Sequence, residues 1–152
     1  MRISNKSALS ELNSVFSAKG TRGAIAYLNS LTDHRFTSLY RFDADMLRSV
    51  IFYDREHPDM LTCEDISVLA SYCVFVRDSG AMFTTHEARC DTRLTNHPKQ
   101  HAVQAYCGVP LLNQNGKMFG TICHFDFQPR HTADADVELL EYMAHLLQKE
   151  IT

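Results

Sequence analysis

The stretch AYCGVPLLNQNGKMFGTICHFDF, residues 105–127, constrains the fold more than any other part of the chain. Two runs of apolar and β-favouring residues flank Asn115-Gly116, the dipeptide best suited to the positive φ angles of a two-residue type I′ turn. A turn of that kind fixes register. It pairs Gln114 with Lys117 and predicts two faces. Cys107, Val109, Leu111, Met118, Gly120, Ile122 and His124 make an aliphatic face fit for packing helices. Tyr106, Gly108, Pro110, Leu112, Phe119, Thr121, Cys123 and Phe125 make a second face, small in the middle and aromatic at the ends, fit for the floor of a cavity. Pro110 cannot donate to a ladder and is the position where this register would slip.

The rest of the chain supplies covers for both faces. Leu9, Leu12 and Phe16 recur at helical spacing over residues 7–18, and Lys19-Gly20 interrupts the pattern. A second helix is predicted from Thr21 to Leu31 with Ala24, Ile25, Leu28 and Leu31 on one side. FTSLYRFD (36–43) and RSVIFYD (48–54) read as a further hairpin around Ala44-Asp45. Thr62, with Asp65 three residues on, reads as the cap of a long apolar helix that ends at Ser79-Gly80. Residues 81–85 form a short predicted strand, 87–96 a polar loop and 97–103 one or two helical turns. The last helix, 134–150, places Val137, Leu140, Ala144, Leu147 and Ile151 on one stripe, with an acidic first turn and a basic end that suit the helix dipole. Hairpins with helices on both faces are an α+β domain.

With 152 residues, 45% hydrophobic and 22% charged, the chain is predicted to be one soluble domain, residues 1–152. A net charge of −3 gives no basic surface for nucleic acid. No apolar run is long enough to span a bilayer, and the N-terminus lacks a signal-peptide core, so a cytoplasmic protein without a membrane or nucleic-acid partner is expected. Five cysteines with no CxxC read as free thiols. Cys107 and His124 face each other across the hairpin on the helix side and read as a core pair. His97 and His101, spaced i,i+4 on a short polar segment, read as surface, and the acidic residues lack calcium-loop spacing, so no metal is expected. No GxSxG elbow or phosphate-binding glycine loop is present.

Three segments in order, SYCVFVRDSG (71–80), DTRLTNHP (91–98) and AYCGVPLLNQNGKMFGTICHFDFQPR (105–130), resemble the GAF domain family of small-molecule sensor modules. The resemblance covers nearly the whole chain. It implies a GAF-like central antiparallel sheet of five or six strands, five of them ordered 2-1-5-4-3. The first and last helices would lie on one face, and a roof would enclose a ligand cavity on the other. It also implies a non-catalytic role in signal transduction: an unidentified ligand is bound, the helices at 7–18 and 134–150 form a homodimer surface, and output passes in trans to a signalling partner protein. Candidate ligand-binding residues are Tyr106, Gly108, Thr121, Cys123 and Phe125 on the floor and Tyr72, Cys73, Phe83, His86 and Asp91 on the walls. No catalytic residue and no particular cofactor is assigned. The alternative is a thiol-based reductase similar to free methionine-(R)-sulfoxide reductase, which would draw on Cys73, Cys90 and Cys123. The family's Ala-Cys-Asp and Gly-Val-Cys-Gly stretches are absent, Arg89-Cys90-Asp91 and Tyr72-Cys73-Val74 being the nearest echoes. Bilin attachment is disfavoured because Cys123-His124 lies on a strand.

Overall fold

In the computed structural model, which describes residues 5–150, α1 (Asn5–Ser30) is followed by β1 (Phe36–Asp43), β2 (Met46–Asp54) and β3 (Ile66–Ser67), then α2 (Cys73–Ser79) and β4 (Phe83–Thr85). β5 (Ala105–Leu112), β6 (Met118–Asp126) and α3 (Asp134–Glu150) complete the chain. The six strands form one antiparallel sheet in the order β3-β2-β1-β6-β5-β4. The five predicted strands therefore stand in the expected order, with the two-residue β3 added at one edge. α1 is two helices in practice: Gly20, at φ 75° and ψ −168°, breaks it where Lys19-Gly20 interrupts the sequence pattern.

The central hairpin keeps its expected register by two departures that cancel. The loop is three residues long rather than two. Gly116 N–H donates to the Asn113 carbonyl at 2.9 Å, and Asn113 N–H donates to the Lys117 carbonyl at 2.8 Å. Gly116 has a φ of 78° while Asn115 does not enter the positive region, so the turn is not type I′. Asn113 explains the difference: its side-chain oxygen accepts from Asn115 N–H at 2.9 Å and Lys117 N–H at 3.0 Å, satisfying the turn from within. Gln114 accordingly sits in the loop instead of pairing with Lys117. The register then shifts once more between Leu111 and Leu112, where Leu112 pairs with Met118 and Leu111 with Gly120. Phe119 is the extra residue of this bulge. Beyond it the expected pairs hold: Pro110 faces Thr121, Gly108 faces Cys123, Cys107 faces His124 and Tyr106 faces Phe125. The slip is at Phe119, not Pro110. β4 reaches only as far as Gly108, so Pro110 lies on an open edge where a missing N–H is tolerated. The bulge also turns Phe119 onto the helix side, against the expectation that placed it over the cavity.

Two cores follow from the two faces. On one, Leu39, Cys107, Val109, Leu111 and Ile122 pack against Leu12, Ile25 and Leu28 of α1 and Leu140, Met143 and Leu147 of α3. The buried stripe of α3 runs through Leu139, Met143 and Leu146 as well, so it is rotated from the expected one; Val137 and Ala144 sit at its margin, and Ile151 lies outside the described residues. On the other face, Tyr40, Leu47, Tyr106 and Cys123 pack against Val68, Tyr72, Cys73, Val76 and Leu94.

The long helix expected over residues 62–80 is not formed. Only Cys73–Ser79 is α-helical, preceded by β3 and a 3-10 turn at Val68–Ala70. Asp65 is used differently from a helix cap. Its carboxylate accepts Ser49 N–H at 2.8 Å and Arg48 at 3.1 Å, tying the segment to β2 as an edge strand. Residues 97–103 are hydrogen-bonded turns short of a regular helix, and the 87–96 loop contains 3-10 turns at Ala88–Cys90 and Thr92–Leu94.

A buried histidine pair closes the helix-side core. His34 and His124 stack with ring centroids 5.8 Å apart. Thr37 Oγ1 lies 2.7 Å from His124 Nδ1 and accepts the Asn29 amide at 2.9 Å, so its hydroxyl proton is free to point at a neutral imidazole. Burial lowers the pKa of both; His34 falls to about 4, Asp126 and Asp33 opposing the fall in part.

Two predictions follow from this frame. A methyl group at Gly120 would collide with the Tyr40 backbone carbonyl of the adjacent strand, which cannot swing away. Gly120→Ala should therefore destabilise the fold by about 1–3 kcal/mol or more in urea denaturation, and an unchanged midpoint would refute the close approach. For His34, the unfolded chain takes up a proton near pH 6.5 that the folded chain refuses until about 4. The contribution is complete above pH 6.5 and is lost as pH falls toward 4, up to about 3 kcal/mol. His34→Asn should flatten the stability-versus-pH curve across that interval.

Candidate functional site

Strand alternation and the β1–β6 register bring aromatic side chains to the sheet face away from α1 and α3. Phe36 pairs with Phe125, Ser38 with Cys123 and Tyr40 with Thr121, so each pair projects to the same side. Above this floor stands a cavity of about 380 Å³. Phe36, Phe52, Phe125 and Phe127 line one part, and Tyr40, Tyr72 and Tyr106 another. Cys63, Ile66 and Val103 belong to its walls, with Glu64, Ser71 and Lys99 as the polar contribution.

The tyrosine hydroxyls are engaged by the protein. Tyr72 donates to the carbonyls of Val103 at 2.7 Å and Lys99 at 2.9 Å, Tyr106 donates to Cys73 Sγ at 3.2 Å, and the Tyr40 hydroxyl lies 3.4 Å from Cys63 Sγ. These bonds anchor roof to floor and leave ring faces as the main surface on offer. Gly108 has no side chain because the hydroxyl end of Tyr106 occupies the place a Cβ would take.

The sequence-predicted site residues divide into three groups. Tyr72, Tyr106, Cys123 and Phe125 line the cavity. Cys73, Gly108, Thr121 and Phe83 lie in or beside the core of that same face; Phe83 stacks on Phe75 at 4.6 Å and carries the Arg93 guanidinium over its ring. His86 and Asp91 do not reach the cavity. His86 is exposed, with its carbonyl accepting Arg130 N–H. Asp91 organises the neighbouring loop, accepting from Thr85 Oγ1 at 2.8 Å, Arg93 N–H at 3.1 Å and the Arg93 guanidinium at 2.6 Å. Arg93 above all, with Thr85, holds the Asp91 carboxyl near pKa 2 against the opposing effect of burial. Phe36, Tyr40 and Phe52 escaped the sequence reading, although extending the hairpin register across to FTSLYRFD would have placed the first two.

The thiols are unequal. Cys107 is buried on the helix side, where burial pushes its pKa up to about 12, with Asp136 and Glu141 adding to the shift. Cys90 is exposed and outside the cavity, so the three cysteines considered for a reductase are not gathered at one opening. Cys123 and His124 fall on opposite faces of β6. Among the described residues there is no cluster of three or more His, Cys, Asp or Glu side chains placed to hold a metal, and no helix long and apolar enough to cross a membrane.

The family model of the GAF domain matches residues 19–151. The chain belongs to the GAF domain family. The GAF domain of an Acinetobacter phosphoenolpyruvate-protein phosphotransferase superposes at a TM-score of 0.76 with 12% identity, over 98% of this chain and 93% of that one. The free methionine-R-sulfoxide reductase of Neisseria meningitidis, solved with its substrate, gives 0.74 with 17% identity over 95% and 86%. At these identities the likeness is one of fold. A cyclic di-GMP phosphodiesterase of Pseudomonas aeruginosa is 29% identical over 85 residues, which are 53% of this chain and 14% of that protein.

The Asp91 anchor generates a stability prediction distinct from ligand binding. Asp91→Ala should cost about 1–3 kcal/mol, by removing the acceptor of the Thr85 and Arg93 donors, and should accelerate amide exchange over residues 88–96. Unchanged exchange there would show that the loop is held by other contacts.

Proposed function

We propose that this GAF domain is a non-catalytic sensor module that takes a small, largely apolar ligand with a planar aromatic portion into the cavity between the sheet and the roof. The supporting observation is the aromatic lining combined with tyrosine hydroxyls already bonded to the protein. A ligand entering it meets π-faces and sulfur, with Glu64 and Lys99 available to a single polar or charged group. Ligand binding is a general property of the family, and the roof is the part best able to respond here. Its secondary structure is limited to short turns, the two-residue β3 and the seven-residue α2.

In this reading the floor candidates Tyr106, Cys123 and Phe125 and the wall residue Tyr72 contact the ligand. Gly108, Thr121, Cys73 and Phe83 support them from behind. The module works in the cytoplasm as a homodimer through the first half of α1 and through α3, where Leu9, Phe16 and Tyr142 remain half-buried on the monomer. Ligand-dependent packing of these helices is read by a partner protein.

A thermal-shift screen tests the ligand class. It should set planar aromatic compounds (indoles, hydroxybenzoates, nucleobases, flavins) beside aliphatic amino acids and inorganic anions. A ligand at a hundredfold excess over its Kd should raise the melting temperature by about 5–10 °C. Phe127→Ala, at a half-exposed position on the cavity wall, should reduce that rise, and should lower the unliganded melting temperature only modestly through loss of the edge contact with Phe36. Stabilisation by aliphatic or anionic compounds alone would overturn the reading.

A further inference from the structure

Cys73 and Cys123 belong to one buried cluster on the cavity side of the sheet. Cys73 opens α2 beneath the roof, and Cys123 sits at the middle of β6 on the cavity wall. The Cys73 sulfur is the convergence point of a polar cluster inside an otherwise apolar core. The Tyr106 hydroxyl donates to it at 3.2 Å, Thr121 Oγ1 lies at 3.2 Å, and Ser71 and the Cys123 thiol complete its surroundings. Both cysteines are fully buried from bulk solvent. A structural cysteine in a core needs no such set of donors, since it behaves there as a small hydrophobe. A thiolate does. Burial opposes ionisation of Cys73, yet the Cys123, Ser71, Thr121 and Tyr106 groups together bring its pKa down to about 7, while burial and the same neighbour push Cys123 up. Cys73 is therefore the more readily ionised of the two.

We propose that Cys73 and Cys123 form a peroxide-responsive dithiol between α2 and the cavity floor, a modification site oxidised by hydrogen peroxide or a small organic hydroperoxide to an intramolecular disulfide. The cavity delivers the oxidant to Cys123. The Cys73 thiolate takes the Cys123 proton as the Cys123 sulfur attacks one peroxide oxygen; the O–O bond breaks, and the leaving oxygen takes that proton from Cys73 and departs as water, or as the alcohol of an organic hydroperoxide, leaving Cys123 as sulfenic acid. The Cys73 thiolate then attacks the Cys123 sulfur; the S–O bond breaks, and the departing hydroxide takes up the proton that Cys73 released to solvent on ionising and leaves as water. Two thiols are oxidised by two electrons, and the peroxide is reduced by two. The product would join the first residue of α2 to the central strand β6, fixing the roof to the floor. This holds whichever ligand the cavity takes, and exposed Cys90 has no part in it.

The test is peptide mapping by mass spectrometry of Cys90→Ser protein treated with hydrogen peroxide under native conditions, then alkylated without reduction. The expected result is a cross-linked pair of peptides carrying Cys73 and Cys123, two hydrogens lighter than the free thiols and reversed by dithiothreitol, with Cys107 still a thiol. In Cys73→Ser protein the cross-link should be absent and Cys123 should stay a free thiol at peroxide levels that oxidise the Cys90→Ser protein, because its proton acceptor is gone. A disulfide joining Cys63 to Cys123 would overturn the assignment of Cys73. Free Cys73 and Cys123 after excess peroxide would overturn the site altogether. The wild-type chain, mapped in the same way, keeps the test decisive if a variant fails to fold.

Discussion

The approach of β6 to the Tyr40 carbonyl at Gly120 is the constraint on which the remaining architecture depends. Strand side chains alternate with a period of two, so a slip of one residue between β6 and β1 would carry Cys123 to the helix side and His124 to the cavity. Gly120 admits the neighbouring backbone where any Cβ would be stopped. Next to it the Phe119 bulge absorbs the residue by which the three-residue turn offsets the ladder. Turn, bulge and glycine act together, and the faces that result define what can be bound.

Those faces handle buried polar groups in different ways. On the helix side, His34, His124, Thr37 and Asn29 are linked to Arg55, which donates to Asn29 Oδ1, so the end of α1 is joined to the loop after β2 through neutral and charged donors. On the cavity side, hydroxyls and thiols pair with each other: Tyr106 and Thr121 with Cys73, and Tyr40 with Cys63. Sulfur is a weak hydrogen-bonding partner, so this second set fixes geometry while leaving a surface that remains effectively apolar. An aromatic cavity floor and a stabilised thiol therefore have the same origin, the placement of tyrosine, threonine and cysteine on alternate positions of β1, β5 and β6.

The central hairpin, its two faces apart from Phe119, and the break at Gly20 were legible because each rests on local chemistry, whereas the order of five strands followed from the resemblance to the family. The turn was misread because Asn113, outside the Asn-Gly pair, supplies the capping oxygen. Residues 62–72 were misread for a related reason. Apolar spacing there fits a helix, but Asp65 and Ile66 gain more from the open edge of β2 than from a helical turn, and a single sequence does not display that edge. His86 and Asp91 illustrate a further limit. Side chains on a polar loop have no period, and Asp91 finds Arg93 two residues on instead of the cavity.

Arg22 ties the two sides of the sheet together at its edge. From the second half of α1 its guanidinium donates to the carbonyls of Phe52 and Met60 at 3.1 Å each, of Pro58 at 3.1 Å and of Leu61 at 3.4 Å. Phe52 lines the cavity, and residues 58–61 lead directly into Cys63 and Glu64 on its wall. A planar guanidinium satisfied by four carbonyls from two parts of the chain holds them in one relative position, because displacing either part leaves donors or acceptors unpaired. A shift of residues 58–61 would therefore either move α1 or break that set. The sheet between cavity and helices is too closely packed to flex by small degrees. At the edge of the sheet, the Arg22 hydrogen bonds are the link between α1 and the segment that leads into the cavity wall.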